Sequence, residues 1–265
     1  MYQKFERKRE KKTSFLLKTA IAVMIIGIIV QAAMVTDIMI SNSPAFAATK
    51  KVFNVGTSPY VGWMPWYYAK SYGIMDKWAK KYGIKVNIKI YSRYMDSVGA
   101  FTTGALDACT MTNMEAFDNP AAAGIDCTSH KTGDYSNGND GVLTKDGLTL
   151  KDLVERQIPV LMEEGSVSQY LIARACEMNG LDERKLRVVN TSYDNLVVAF
   201  ENDPKVKACV TWNPGLMTLM QIPGVSKLFD SSEIPGEILD LMVVNTKTLK
   251  ESPELGKALV GAWYE

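Results

Sequence analysis

Beyond residue 50 the chain alternates between short apolar runs and segments whose apolar positions recur at helical spacing. Residues 52–56 predict a strand, and 66–82 predict a helix that Gly83 stops. Residues 86–91 alternate apolar and polar positions, as a half-buried strand does, and 96–103 predict a helix with Gly104 just after it. Next come a strand at 108–111, a short helix at 114–123 interrupted by Pro120, and a strand at 127–132. Residues 133–141 break the pattern: rich in Gly, Asn, Asp and Ser, they predict a loop and a candidate hinge. The plan then repeats. Helices are predicted at 150–156, from 164–169 on to Asn179, and at 193–201; strands are predicted at 158–162, 186–189 and 206–211. A short edge strand at 227–229 and an apolar, β-like run at 239–244 follow. Strict βα alternation predicts a mostly parallel sheet covered on both faces.

One local motif recurs: an apolar strand, a small polar loop, then a capped helix. It occurs at 54–66, 111–115, 164–169 and 190–194. Such loops leave free backbone N–H groups beside polar side chains, where open α/β sheets bind small ligands. Trp63 and Trp66 follow the first strand and offer π faces to a cation, or else pack a lobe surface. Thr112 and Glu115 have capping-box spacing, which leaves Asn113 as the ligand candidate of that loop. Ser166 and Gln169 share the capping-box spacing, and Ser168 lies between them. Asp134, Ser136, Asn137, Asn139 and Asp140 form a polar cluster that lacks the terminal Glu of a calcium loop. Trp212 and Asn213 end a strand of the second unit. Glu237 is placed to reach a cleft, and Asp240 is expected to be a solvated charge.

The amino-terminal segment reads as an export signal. Lys4, Arg7, Lys8, Arg9, Lys11, Lys12 and Lys18 form a basic region before an apolar run at 20–30. That run is short for a membrane span, and Ala45 and Ala47 suit a cleavage site. The expectation is a periplasmic protein with a signal peptide at 1–47; an uncleaved inner-membrane anchor is the alternative. Of the 30 basic and 29 acidic residues, seven and three lie in 1–47, leaving 23 and 26 and a net charge of −3. A mildly acidic surface speaks against nucleic acid as a partner. The four cysteines, Cys109, Cys127, Cys176 and Cys209, form no CxxC pair and leave both disulfides and buried thiols open.

Catalysis finds little support. His130 is the one histidine, no GxSxG elbow surrounds a serine, and no GxxxxGK[ST] or GxGxxG loop exists. No cofactor or metal is expected, and the chain reads as a binding protein rather than an enzyme.

Several stretches together resemble a known family: VGWMPW at 61–66, TMTNMEA at 110–116, DYSNGNDG at 134–141, VTWNP at 210–214 and FDSSEIPGEI at 229–238. They are similar to the solute-binding proteins of ABC importers of the nitrate/sulfonate/taurine type, closest to a branch named for urea binding whose genes neighbour urea carboxylase. The resemblance implies an α/β type II periplasmic-binding fold: two Rossmann-like lobes joined by a two-crossover hinge. The expected boundaries are lobe one at 48–141, lobe two at 142–237 and a return to lobe one at 238–265. The partners implied are a small-molecule ligand, a membrane permease and its ATPase, with the binding protein itself monomeric. The chain stops inside a predicted helix where relatives continue, so a C-terminal truncation is expected. The candidate loops carry Glu115, Asp134, Asp140 and Glu237 and no Lys or Arg, which predicts a donor-rich nitrogen compound such as guanidinium or urea. Alternatives are nitrate, a sulfonate or taurine, a thiamine-pyrimidine precursor, or a role as a membrane-anchored sensor domain.

Overall fold

The computed structural model of the protein describes residues 50–265; the predicted signal peptide and its cleavage site lie outside the described residues. Among those residues no helix is long and apolar enough to cross a membrane.

The described chain builds two sheets of five strands. The first contains β1 (Val52–Thr57), β2 (Lys85–Ile90), β3 (Ala108–Thr112), β4 (Cys127–Tyr135) and β10 (Leu239–Asn245), in the order β2-β1-β3-β10-β4. The second contains β5 (Asp140–Lys145), β6 (Pro159–Met162), β7 (Arg187–Asn190), β8 (Ala208–Trp212) and β9 (Val225–Asp230), in the order β7-β6-β8-β5-β9. The helices are α1 (Met64–Ser71), α2 (Ile74–Lys81), α3 (Tyr94–Thr102), α4 (Asn113–Ala116) and α5 (Leu150–Glu155). They continue with α6 (Val167–Met178), α7 (Tyr193–Asn202), α8 (Gly215–Leu219), α9 (Thr246–Glu251) and α10 (Pro253–Tyr264).

The two sheets share one topology. β1 pairs in parallel with β2 and β3, and β6 pairs in parallel with β7 and β8. In each sheet the strand in fourth position arrives from the other lobe and runs backwards: β10 is antiparallel to β3 and β4, and β5 is antiparallel to β8 and β9. The expected mostly parallel sheet is therefore a mixed one. Both reversed strands are buried along nearly their whole length, in keeping with the apolar runs Val142-Leu143 and Leu241-Met-Val-Val244.

Three local expectations are corrected. The helix expected over 66–82 is two helices, because Gly73 adopts φ +70 between α1 and α2. The helix expected over 114–123 is the single turn of α4 followed by a wide π-type turn over Phe117–Ala121, around Pro120. The loop expected over 133–141 is reduced to 136–139, since β4 runs to Tyr135 and β5 starts at Asp140. Through 136–139 the chain passes from the first sheet to the second, and it returns between Ser231 and Leu239. The two crossovers are tied together: Ser136 Oγ donates to Asp140 and accepts from the Ser231 hydroxyl at 2.7 Å, and Ser231 Oγ also accepts the Gly138 N–H at 2.8 Å.

The core packs against both sheets. Phe53, Val55, Ala108, Cys109 and Met111 are fully buried in the first lobe, and Leu143, Leu161, Leu196 and Phe200 gather in the second. Helix α10 closes the outside of lobe one, where Gly261 lets it approach so near that a Cβ would stand 2.2 Å from Trp78. All four cysteines are free thiols; Cys109, Cys176 and Cys209 are buried, so the choice left open by spacing resolves to unpaired sulfur. Burial pushes the Cys109 thiol up to about 12 and Cys176 to about 11, which makes them poor nucleophiles.

Candidate functional site

The reversed strands decide where the site's charges lie. Parallel strands point their carboxyl ends, and the loops that follow them, toward the other lobe. A strand running backwards presents its first residue at that same end. Asp240 is accordingly in register with Thr112 at the end of β3, and Asp140 with Trp212 at the end of β8. One buried aspartate from each lobe thus meets the loops after β1, β2, β3, β6 and β8.

A cavity forms there. Its walls are aromatic: Tyr60, Trp63 and Tyr94 from lobe one and Trp212 from lobe two. The rings touch in sequence. Tyr60 and Trp63 have centroids 5.0 Å apart, Trp63 and Tyr94 5.1 Å, and Tyr94 and Trp212 6.2 Å in an edge-to-face pair. Tyr193 stacks on the far face of Trp212 at 4.8 Å. Asp140, Asp240, Thr112 and Ser58 supply polar groups, and no Lys or Arg lines the cavity. About 20 Å³ is open to the centre of a water-sized sphere, enough for roughly a water or a small planar group.

The electrostatics are one-sided. Burial raises the Asp140 carboxyl to about 7; the Ser136 hydrogen bond opposes this, and the charges of Glu115 and Asp134 add to it. Burial raises Asp240 to about 9, helped by a hydrogen bond and charge from Asp134 and by the charges of Asp140 and Glu115. Tyr60 is held protonated by burial and by Asp240, Asp140 and Asp134, and its hydroxyl hydrogen-bonds Asp240. Like charges gathered in low dielectric favour neutral forms until a cation arrives. Asp240, expected as a solvated charge, is instead only 2% exposed, because the reversed β10 turns it inward.

Glu115 plays a different part. It is fully buried, and its carboxylate accepts from Thr112 Oγ1, from the Tyr94 hydroxyl and, at 2.6 Å, from the Val167 N–H that opens α6 in the other lobe. Burial raises its pKa and those hydrogen bonds pull against the rise. It is a cross-lobe strut. Asn113 instead pins the returning crossover where it enters lobe one: its Nδ2 donates to the Glu237 carbonyl at 2.9 Å, and its Oδ1 accepts the Leu239 N–H at 2.9 Å. Both ends of that amide are occupied, away from the cavity.

The remaining sequence candidates divide by place. Trp63, Thr112, Asp140 and Trp212 line the cavity. Asp134 lies beside it, against Asp240 and Gly62. Trp66 is packed into lobe one on Trp263 at 5.2 Å. Ser136 holds the crossover, and Asn139 accepts from the Asn213 backbone and side-chain nitrogens at 2.9 Å each. Ser166 caps α6, accepting the Ser168 N–H at 3.2 Å, while the buried Ser168 hydroxyl has no partner among the described residues. Glu237 is held outside the cavity by the Tyr170 hydroxyl at 2.5 Å and the Arg174 guanidinium at 2.8 Å. Reading the sequence missed Ser58, Tyr60, Tyr94 and Asp240. It also missed Arg93, which follows β2 and lines a neighbouring chamber, so a basic group does stand close by.

Solved structures share the fold. The periplasmic aliphatic sulphonate binding protein SsuA from Escherichia coli superposes with a TM-score of 0.65 at 17% identity, over 80% of this chain and 71% of that one. The fold is that of the periplasmic solute-binding proteins. The alkanesulfonate-binding protein SsuA from Xanthomonas axonopodis pv. citri, bound to MOPS, gives 0.66 at 17% identity over 82% and 73% of the two chains. The periplasmic nitrate-binding protein NrtA from Synechocystis PCC 6803 gives 0.63 at 10% identity over 81% and 60%. No protein-family model matches the chain, and no curated protein sequence does. In this type II periplasmic-binding fold the cavity lies between the two lobes, lined by residues of both.

Proposed function

We propose that this protein is the periplasmic substrate-binding component of an ABC importer and that it captures a small, donor-rich nitrogen cation, with guanidinium as the reference ligand. The lobes close on the ligand, and the closed form delivers it to a membrane permease driven by its ATPase. The observation that carries this reading is the pair Asp140 and Asp240: two buried carboxyls from opposite lobes, surrounded by further acids and by aromatic faces, with no basic side chain lining their cavity. A guanidinium supplies only donors and a positive charge, matching carboxylate acceptors and π faces together. Sulfonates and nitrate, named for the structural neighbours, would find no basic side chain lining this cavity to offset their charge. The narrow cavity favours a ligand of few heavy atoms.

Urea is the second reading, and one observation favours it. Carboxyls raised to about 7 and about 9 are partly or wholly protonated at neutral pH and then donate to a neutral carbonyl. Isothermal titration of residues 48–265 with guanidinium, urea, nitrate and taurine tests both. Guanidinium binding that outcompetes urea at pH 8 is expected. Tight nitrate or taurine binding with no response to guanidinium would sink the proposal.

A further inference from the structure

Beside the acidic cavity lies a second chamber with a different chemistry. It offers about 60 Å³ to the centre of a water-sized sphere, three times the space of its neighbour. The two chambers meet at Ser58, Pro59, Tyr94 and Trp212, which line both. Beyond that shared wall the second chamber is lined by Arg93, Glu163 and Asp194.

Two of its groups are unfinished. The Ser58 hydroxyl, on a residue 1% exposed, has no hydrogen-bond partner among the described residues. One carboxylate oxygen of Glu163, on a residue 6% exposed, has none either. Buried polar atoms are nearly always paired, and a buried carboxylate oxygen without a donor is costly. Glu163 also faces more negative than positive neighbours. Burial is the chief cause of its rise to about 7, Arg93 opposes it, and Glu115, Asp96 and Asp194 reinforce it. Arg93 itself is drawn toward Asp96, 3.9 Å away. Above that raised value of about 7, at pH 8 and beyond, the unpaired Glu163 oxygen belongs to a carboxylate, and its missing partner is a hydrogen-bond donor.

We infer that the second chamber is a subsite for a nitrogen-bearing, hydrogen-bond-donating substituent on the ligand, with Glu163 as its acceptor and Ser58 at the junction. Resting on the cation reading of the inner cavity, this assigns the protein to substituted guanidines rather than to guanidinium alone. The head sits between Asp140 and Asp240, and the substituent passes Ser58 and reaches Glu163. An alkyl substituent of the same size fills the chamber but leaves Glu163 unpaired.

Calorimetry at pH 8.5, where Glu163 is ionised, separates the possibilities with three probes: guanidinium, biguanide and N-propylguanidinium, the last two having equal numbers of heavy atoms. The wild-type protein is expected to bind biguanide about tenfold more tightly than N-propylguanidinium, the effect of one hydrogen bond to a charged group. Glu163→Met is expected to erase that preference while changing guanidinium affinity by less than about threefold, which also certifies the variant's fold. Ser58→Ala is expected to weaken biguanide more than guanidinium. If guanidinium binds but biguanide binds no better than N-propylguanidinium, or if Glu163→Met keeps the preference, the subsite is overturned and the inner-cavity reading stands. If guanidinium itself does not bind, both fall.

Discussion

Replacing Asp240 with Asn should stabilise the ligand-free protein at pH 8 and at the same time remove its cation binding. Asp240 is 2% exposed, and its carboxyl is raised from 3.8 to about 9, first by burial and then by Asp134, Asp140 and Glu115. A folded pKa above the unfolded one means that the folded state keeps a proton the unfolded chain gives up. The stability this provides is complete below about pH 4 and is lost as pH rises through the folded value. Asp140, raised to about 7, adds a loss of the same sign over the lower part of that window. Each group alone gives a slope of up to about 1.4 kcal/mol per pH unit. Over the roughly four pH units between the unfolded value and pH 8, Asp240 alone accumulates on the order of 6 kcal/mol, which the neutral Asn regains. For a body of about 200 residues that corresponds to a rise in Tm of roughly 12–24 °C. Differential scanning fluorimetry at pH 5 and pH 8 checks it: the wild type should melt lower at pH 8, and Asp240→Asn should lose most of that difference. Calorimetry on the same variant should show guanidinium affinity reduced by at least about a hundredfold, since one buried charge partner is gone. A variant that melts at or below the wild type at pH 8, or that keeps its affinity, refutes the assignment of Asp240 as a buried, strained ligand group.

Other outcomes follow from the same geometry. Guanidinium affinity should rise between pH 5 and pH 9 with proton release from Asp140 and Asp240, whereas urea affinity should fall; titrations in two buffers of different ionisation heat measure the protons directly. Glu115→Ala removes the acceptor of the Val167 N–H across the cleft, and should weaken ligand binding by roughly tenfold through a less stable closed form. Small-angle scattering with saturating ligand should show the variant more open than the wild type. Trp212→Ala takes away the ring that stacks on Tyr193 and edges Tyr94; cation binding should fall by about 1–2 kcal/mol, read by calorimetry. Gly261→Ala places a methyl 2.2 Å from Trp78 on the outside of lobe one, and should lower Tm, costing on the order of 1–3 kcal/mol, without changing ligand affinity.

How much of this was legible in the chain depends on whether the information is local. The alternation of strands and helices is local, and so is the habit of strands ending in polar loops; both led to Trp63, Thr112 and Trp212, which do line the cavity. Helical phase explains Trp66: three residues after Trp63, α1 carries it round onto Trp263. Tyr94 carried the same strand-loop-helix signal, since β2 ends at Ile90 and α3 begins at Tyr94, but an aromatic at a helix start reads as ordinary core. The decisive residues were hidden for a different reason. Strand direction is set by which distant segment supplies the neighbour, and an apolar run such as 239–244 looks the same forwards and backwards. Read forwards, Asp240 is a charge flanking a buried strand at the end remote from ligand, and Asp140 is the tail of a polar loop. Both strands run backwards because each has crossed from the other lobe, and crossing places its first residues at the cleft. The link that joins the lobes thus also carries the acids: each crossover leads directly into its aspartate, at 136–139 before Asp140 and near Ile238 before Asp240. Each crossover and its aspartate are separated by at most a few residues of backbone. On the proposed reading, a cation that draws Asp140 and Asp240 together would pull on both crossovers at once, and that is the route by which we propose a small ligand closes the two lobes.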